Sequence, residues 1–173
     1  IKAGSEGRSI QASYFKPYHM HASLGPACAV AMYDEEILHI WTNSQGVYPL
    51  REALKSMLRL PAEQIHIISV PGPGVFGHTS SDDAAADAAL MALAYPGKHI
   101  MLEWSRKDYH MWEPYGYALI IDLEASLDDS GNISQWLIDV WTDSASTRPN
   151  KDAGTLVTAR YLENPMPMKG RCL

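Results

Sequence analysis

The clearest periodic signal runs over residues 47–58, where Leu50, Leu54 and Leu58 recur every four positions with Met57 beside them. Positions three and four apart share one side of an α-helix, so this spacing predicts an amphipathic helix from Val47 to Leu58. Pro49 falls in the first turn, where a missing N–H is tolerated, and Pro61 follows the end. A second helix is predicted from Asp82 to Tyr95. Its seven alanines imply close packing on more than one side. Ser80 with Asp83 three residues on reads as a capping box, and Asp82 and Asp83 suit the positive end of the helix dipole. Pro96-Gly97 stops the helix.

Short β-branched and aromatic runs predict strands between and beside these helices. Cys28–Tyr33 and Ile37–Thr42 form one hairpin around Asp34-Glu35-Glu36. Ile65–Val70 reads as a buried strand and His99–Trp104 as another. Tyr117–Leu127 and Ile133–Asp143 make a second hairpin, closed by Asp128-Asp129-Ser130-Gly131-Asn132. A short helical stretch is predicted near Thr155 to Leu162. Residues 1–13, rich in Gly, Ser, Lys and Glu, read as an irregular leader, residues 105–116 as a connector, and 163–173 as a Pro/Met tail. Strand-helix-strand-helix-strand across 37–104 predicts right-handed βαβ crossovers. The expected fold class is mixed α/β (α+β), a mixed sheet with βαβ crossovers flanked by antiparallel hairpins, in one compact unit whose body is residues 14–162.

Composition narrows the function classes. With 173 residues and a net charge of −6, the chain lacks the clustered Lys and Arg that phosphate backbones require, so no nucleic-acid partner is expected. The longest apolar runs, Ala27 to Tyr33 and Tyr117 to Ile121, are strand-sized, far below the roughly 18 residues of a transmembrane helix. The two cysteines, Cys28 and Cys172, form no CxxC pair. Cys28 is expected to pack as a small hydrophobe and Cys172 to be an exposed thiol, with no disulfide framework.

The strongest local feature is the loop Pro71-Gly72-Pro73-Gly74-Val75-Phe76-Gly77-His78, placed between a strand and a helix start. Glycines there can expose backbone N–H groups to an anionic ligand at a helix N-terminus, although the same residues also suit a tight strand-to-helix turn. No Gly-Lys-Ser/Thr follows, so it is not a nucleotide P-loop, and no acid about 20 residues on supports a dinucleotide fingerprint. His78 ends the loop and is a possible site residue. Gln45, between a strand and a helix, is either a turn residue or a polar group aimed at a site. His39, His66 and His99 lie in apolar strands and are expected to be packed and hydrogen-bonded. His19 and His21 lack the further ligands that a metal needs, so no metal site is expected. The acidic clusters Asp34-Glu35-Glu36 and Asp82-Asp83 read as a solvated turn and a helix start. A non-catalytic domain for some anionic ligand is one functional reading, and a hydrolase built on His78 or His19 is a remote one, since no GxSxG elbow occurs.

Several segments, in order, resemble one family. Tyr18-His19-Met20-His21-Ala22-Ser23 with Pro26 resembles the "PYxxHAxxEP" motif of molybdenum hydroxylase large subunits, the xanthine dehydrogenase and aldehyde oxidase family. Trp41-Thr42-Asn43-Ser44-Gln45 is similar to its "WTSTQ" loop, and Gly72 to His78 to its "GGGFGGK" loop. Ser81-Asp82-Asp83-Ala84 and the alanines that follow resemble its "DVAAEAA" helix, and Leu102 to Asp108 its "LxWTREE" segment. Gly77-His78, His110-Met111-Trp112-Glu113-Pro114-Tyr115-Gly116 and Ser146-Thr147-Arg148-Pro149 resemble the nicotinate dehydrogenase-like branch.

The resemblance implies an N-terminal slice of the molybdopterin-binding subunit of an oxidoreductase that hydroxylates an aldehyde or N-heterocycle with water-derived oxygen. It implies a molybdenum–molybdopterin cofactor, in bacteria usually the cytosine dinucleotide form, and iron–sulfur clusters on a partner subunit. Gln45 would hydrogen-bond an oxo ligand of molybdenum, and Gly74, Val75, Phe76 and Gly77 would present backbone N–H groups to the cofactor. The family's catalytic Glu lies in a late "GEP"-type motif that does not occur here, so the chain alone is expected to be inactive. Gly25 replaces a Glu of the pattern, and Pro73 and Val75 replace loop glycines. Ser80 stands where purine-oxidising members carry a substrate-binding Glu, which argues against purines.

Overall fold

Along the strand from Ile37 to Thr42, Leu38, Ile40 and Thr42 are buried while His39 and Trp41 point to the opposite, open face. That period-two alternation marks a sheet covered on one side only. The computed structural model describes residues 8–77, 79–143 and 150–168. Its strands are β1 (Arg8–Lys16), β2 (Cys28–Asp34), β3 (Ile37–Thr42), β4 (Ile65–Ser69), β5 (Ile100–Glu103), β6 (Leu119–Leu127) and β7 (Ile133–Thr142). The helices are α1 (Val47–Leu58), α2 (Ser81–Ala94), α3 (Arg106–Trp112) and α4 (Val157–Arg160). The chain divides into two compact units, one of Ile1–His19 with Tyr117–Ala145 and one of Met20–Gly116 with Ser146–Leu173. The expectation of a single compact unit is therefore corrected: β1 and the second hairpin pair with each other and form a sheet of their own.

The larger unit holds a four-stranded mixed sheet in the order β4-β3-β2-β5. β3 and β4 are parallel, while β2 runs antiparallel to both β3 and β5. Helix α1 makes the crossover between neighbouring β3 and β4. Helix α2 carries the chain from β4 across to β5 at the far edge, lying against β2, β3 and β5. Ala84, Ala85, Ala86, Ala88, Ala89 and Ala92 of α2 are fully buried against a sheet face that offers Ala29 and Ala31 of β2. Small residues on both sides let helix and sheet approach closely, as the alanine count predicted. Leu50, Ala53, Leu54 and Met57 of α1 complete this core.

Acidic side chains of α2 tie α4 and Trp104 to this core. Asp83 is fully buried, and its Oδ1 accepts the Val157 N–H at 2.8 Å. Asp87 Oδ2 accepts from Trp104 Nε1 at 3.0 Å, and Oδ1 accepts from Thr158 Oγ1 at 2.7 Å. Asp82 and Asp83 do stand in the first turn of α2, and Asp83 has its tertiary bond to Val157 besides. Asp87→Ala would strand two part-buried donors, so the expected loss of stability is about 3 kcal/mol or more, given that bonds to charged groups contribute about 1.5–3 kcal/mol each. A urea midpoint unchanged in Asp87→Ala would show that these bonds do not hold the unit.

The smaller unit is a three-stranded antiparallel sheet, β1-β6-β7. Residues 8–13 belong to β1, which corrects the irregular leader expected there. Ile10, Ala12 and Tyr14 alternate with Ser9, Gln11 and Ser13, and β1 finds its partner, β6, more than a hundred residues away. One face carries Ile10–Ala125–Trp136, Ala12–Leu123–Ile138 and Tyr14–Ile121–Val140 in successive cross-strand rows.

Candidate functional site

Parallel neighbours β3 and β4 end level with each other: Thr42 pairs with Ser69, and the Val70 N–H donates to Thr42 O at 3.0 Å. Two loops leave these carboxyl ends, residues 43–46 into α1 and residues 70–80 into α2. In open α/β sheets this is where ligand crevices form, because consecutive loops there diverge around the strand ends. The loops touch. A Cβ on Gly72 would fall 2.2–2.6 Å from the Asn43 side chain, so only glycine permits the contact. Ser44 is buried and its Oγ accepts the Gly46 N–H at 3.1 Å, a tight turn that leaves Gln45 exposed at the tip. No hydrogen bond of the Gln45 side chain is formed among the described residues.

The glycine loop has an unusual backbone. Gly74 and Gly77 lie at φ +100° and +127°, and Phe76 between them at φ +48° with its side chain 65% exposed. Positive φ costs a residue with a Cβ, and such strain survives where the surroundings impose it. Among the described residues, no hydrogen bond engages the N–H groups of Gly72, Gly74, Val75, Phe76 or Gly77. Consecutive unpaired amides in a strained turn are a ready set of donors for an anionic or heteroatom-rich group. His78 lies outside the described residues, as do Cys172 and the Ser146–Pro149 motif.

The capping box at Ser80 does not form. Ser80 sits at φ −78°, ψ 17°, close to helical geometry, and its side chain makes no cap bond. Its Oγ is buried without a partner among the described residues, while Thr79 Oγ1 and Ser81 Oγ lie 2.8 Å apart beside it. An orphaned hydroxyl at the mouth of the loop and a row of unpaired amides together fit a bound polar group.

Residues 21–25 back the loop from behind. Leu24 N–H donates to Pro73 O at 3.2 Å, and a Cβ on Gly25 would meet Pro73 at 2.8 Å. The His21 ring fills the notch at Gly77, where a Cβ would fall 2.4 Å from its Cδ2. Behind this segment stands α3, a helix in what the sequence suggests is a connector. Its signal was present: Ser105 with Asp108 three on is a capping pattern, and Ser105 Oγ accepts the Asp108 N–H at 3.1 Å. Tyr109 of α3 is fully buried, with its hydroxyl 2.9 Å from Ser23 Oγ. Burial pushes the Tyr109 phenol up, the Glu113 carboxylate reinforces this, and Ser23 opposes it.

The strand histidines are not packed and hydrogen-bonded as expected. His66 and His99 are exposed on the open sheet face, where His39 meets His66 edge-on at 5.3 Å and stacks on Trp41 at 6.0 Å. The same face holds a shallow apolar pocket of about 110 Å³ between Cys28, Trp41, Val70 and Met101. Cys28 is only half-buried; burial, then Glu103, pushes its thiol up, away from thiolate character.

The larger unit is thus an α+β domain whose glycine loop and glutamine loop adjoin at the carboxyl ends of parallel strands. The family profile described as the molybdopterin cofactor-binding domain matches residues 3–168, nearly the whole chain, and the chain belongs to this family, within the molybdenum hydroxylases. It is 30% identical over 147 residues to a subunit of the nicotinate dehydrogenase of Pseudomonas putida, covering 85% of the chain and 12% of the relative. It is 29% identical over 136 residues to the aldehyde oxidoreductase molybdenum-binding subunit PaoC of Escherichia coli, covering 77% of the chain and 18% of that protein. The fold resembles the aldehyde oxidoreductase of Desulfovibrio gigas with a TM-score of 0.69 at 15% identity, over 80% of the chain and 15% of that structure. The chain thus spans less than a fifth of these relatives. The rival reading, a non-catalytic domain for another anionic ligand, is not favoured by the family match.

Proposed function

We propose that the chain forms one wall of the cofactor site in a subunit that hydroxylates an aldehyde or an N-heterocycle with oxygen from water. The carrying observation is the row of N–H groups from Gly74 to Gly77, unpaired among the described residues, beside the exposed Gln45 at the carboxyl ends of two parallel strands. When bound, the molybdenum–molybdopterin cofactor, in its cytosine dinucleotide form, supplies the two-electron redox chemistry. Gly74, Val75, Phe76 and Gly77 hold it through backbone amides, and Gln45 donates its side-chain amide towards the metal end. His78 closes the loop as a further site residue.

Other parts of the reaction fall to other parts of the enzyme. The chain has two cysteines, and an iron–sulfur cluster needs about four thiolates, so any clusters lie outside this chain, in the proposed enzyme on a partner subunit. The catalytic Glu belongs to the remainder of the large subunit, and this chain alone is inactive. Ser80 offers a buried hydroxyl where a purine-oxidising enzyme would present a carboxylate, which turns the substrate choice away from purines. The names of the two relatives, a nicotinate dehydrogenase and an aldehyde oxidoreductase, supply the two remaining substrate classes. Turnover of the complete enzyme in ¹⁸O-labelled water, with nicotinate or an aldehyde and an artificial acceptor, should place ¹⁸O in the product. Unlabelled product would sink the water-derived hydroxylation.

A further inference from the structure

Ala22 occupies φ +52°, a left-handed conformation unfavourable for a residue with a Cβ. It sits in the segment that backs the glycine loop, and side chains of one short helix region hold it on both sides. Before it, the Glu113 carboxylate accepts the His21 N–H at 2.7 Å. After it, the Arg106 guanidinium donates to Ser23 O at 2.9 Å and to Leu24 O at 2.5 Å. Glu113 is 4% exposed, and its other oxygen, Oε2, has no hydrogen-bond partner among the described residues. A buried carboxyl is costly unless it is hydrogen-bonded, and Glu113 meets the His21 N–H and the Tyr109 phenol. Beside the Tyr109 phenol, it fixes the backbone of His21, and the His21 ring is what occupies the notch at Gly77.

We propose that Glu113 is a positioning residue for the glycine loop: through the His21 backbone it keeps the His21 ring seated against Gly77 and so sets the shape of the loop's last turn. Arg106 does the same from the other side of Ala22, through the carbonyls that lead to Pro73. The inference rests on the proposed function only in taking that loop to face the cofactor. It assigns a role to α3 and to Glu113 that neither the loop's own sequence nor its glycines contain.

The test uses the full chain labelled with [¹³C,¹⁵N]glycine, in which the twelve glycines give separate signals. The imidazole against Gly77 should displace the Gly77 α-proton resonances by its ring current. In Glu113→Ala that displacement should be lost, while Gly97 and Gly131, which have nothing within 4 Å of a Cβ, stay where they were. Glu113→Gln keeps a carbonyl acceptor for the His21 N–H and should restore the Gly77 signals. If Glu113→Ala does not fold, Arg106→Met serves instead and should move Gly25 and Gly77 together. Unmoved Gly77 signals in a folded variant, or a shift of all glycines alike, would overturn the positioning role, as would a Gln variant that behaves like Ala. In the complete subunit, Glu113→Ala should also lower bound molybdenum. A displaced Gly77 with undiminished molybdenum would leave the positioning role standing and count instead against the loop as the cofactor site.

Discussion

Gln45→Ala in the complete subunit is expected to lower turnover by about 10²–10³-fold, the equivalent of about 2.7–4 kcal/mol, with the fold intact. The fold should survive because Gln45 is exposed at the tip of a turn that Ser44 maintains, and its side chain bonds to nothing in the described chain. The rate should fall because an oriented amide in a water-excluded site stabilises developing charge without reorganising, which a replacement water does poorly. Molybdenum content should stay near the wild-type value, since the proposed site assigns most of the hold to the loop amides and not to Gln45. Steady-state kinetics on metal-matched samples decides the matter. A fully loaded Gln45→Ala enzyme with unchanged kcat would remove Gln45 from the site.

Local periodicity was the most readable part of the fold. The four-residue leucine spacing placed α1 at Val47–Leu58, its observed bounds, and the alanine content anticipated the buried α2. Both hairpins and the mixed sheet with βαβ crossovers also follow from strand-sized apolar runs separated by turn residues and helices. Non-local features were less readable. β1 alternates polar and apolar residues, yet its partner β6 is distant in sequence, and no helix lies among the described residues of its unit to announce it. α3 is short, and its capping pair Ser105 and Asp108 was visible but hidden among residues that otherwise suggest a connector.

The candidate site was legible as two motifs but not as an assembly. Gln45 and the glycines could be named from their places between strand and helix. That Asn43 presses on Gly72, or that His21 fills the space at Gly77, depends on backbone approaches that no local pattern encodes. Ser80 shows the converse. Its spacing to Asp83 fits a capping box, but the backbone at Ser80 is nearly helical, and Asp83 turns to the Val157 N–H instead. Glu113 lies 92 residues from the backbone N–H it accepts, so its importance could not be read from its neighbours.

A second large effect is expected from Gly77→Val. At φ +127° a residue with a Cβ is strained by about 1–3 kcal/mol, and here the new atom would also meet the His21 ring at 2.4 Å. Loop and ring cannot both keep their places, and the strain at positive φ presses the row of amides from Gly74 to Gly77 to shift. At 1.4 kcal/mol per factor of ten, strain of about 1–3 kcal/mol should weaken the hold on the cofactor by roughly fivefold to a hundredfold. Gly97→Val is the matched control, because Gly97 also has positive φ, +73°, but nothing lies near its Cβ and it is remote in sequence from both loops. The deciding measurement is molybdenum per complete subunit, by elemental analysis, for the wild type and these two variants after confirming equal folding. The cofactor-wall account predicts molybdenum retained in wild type and Gly97→Val and largely lost in Gly77→Val. A folded Gly77→Val subunit holding one molybdenum would contradict it.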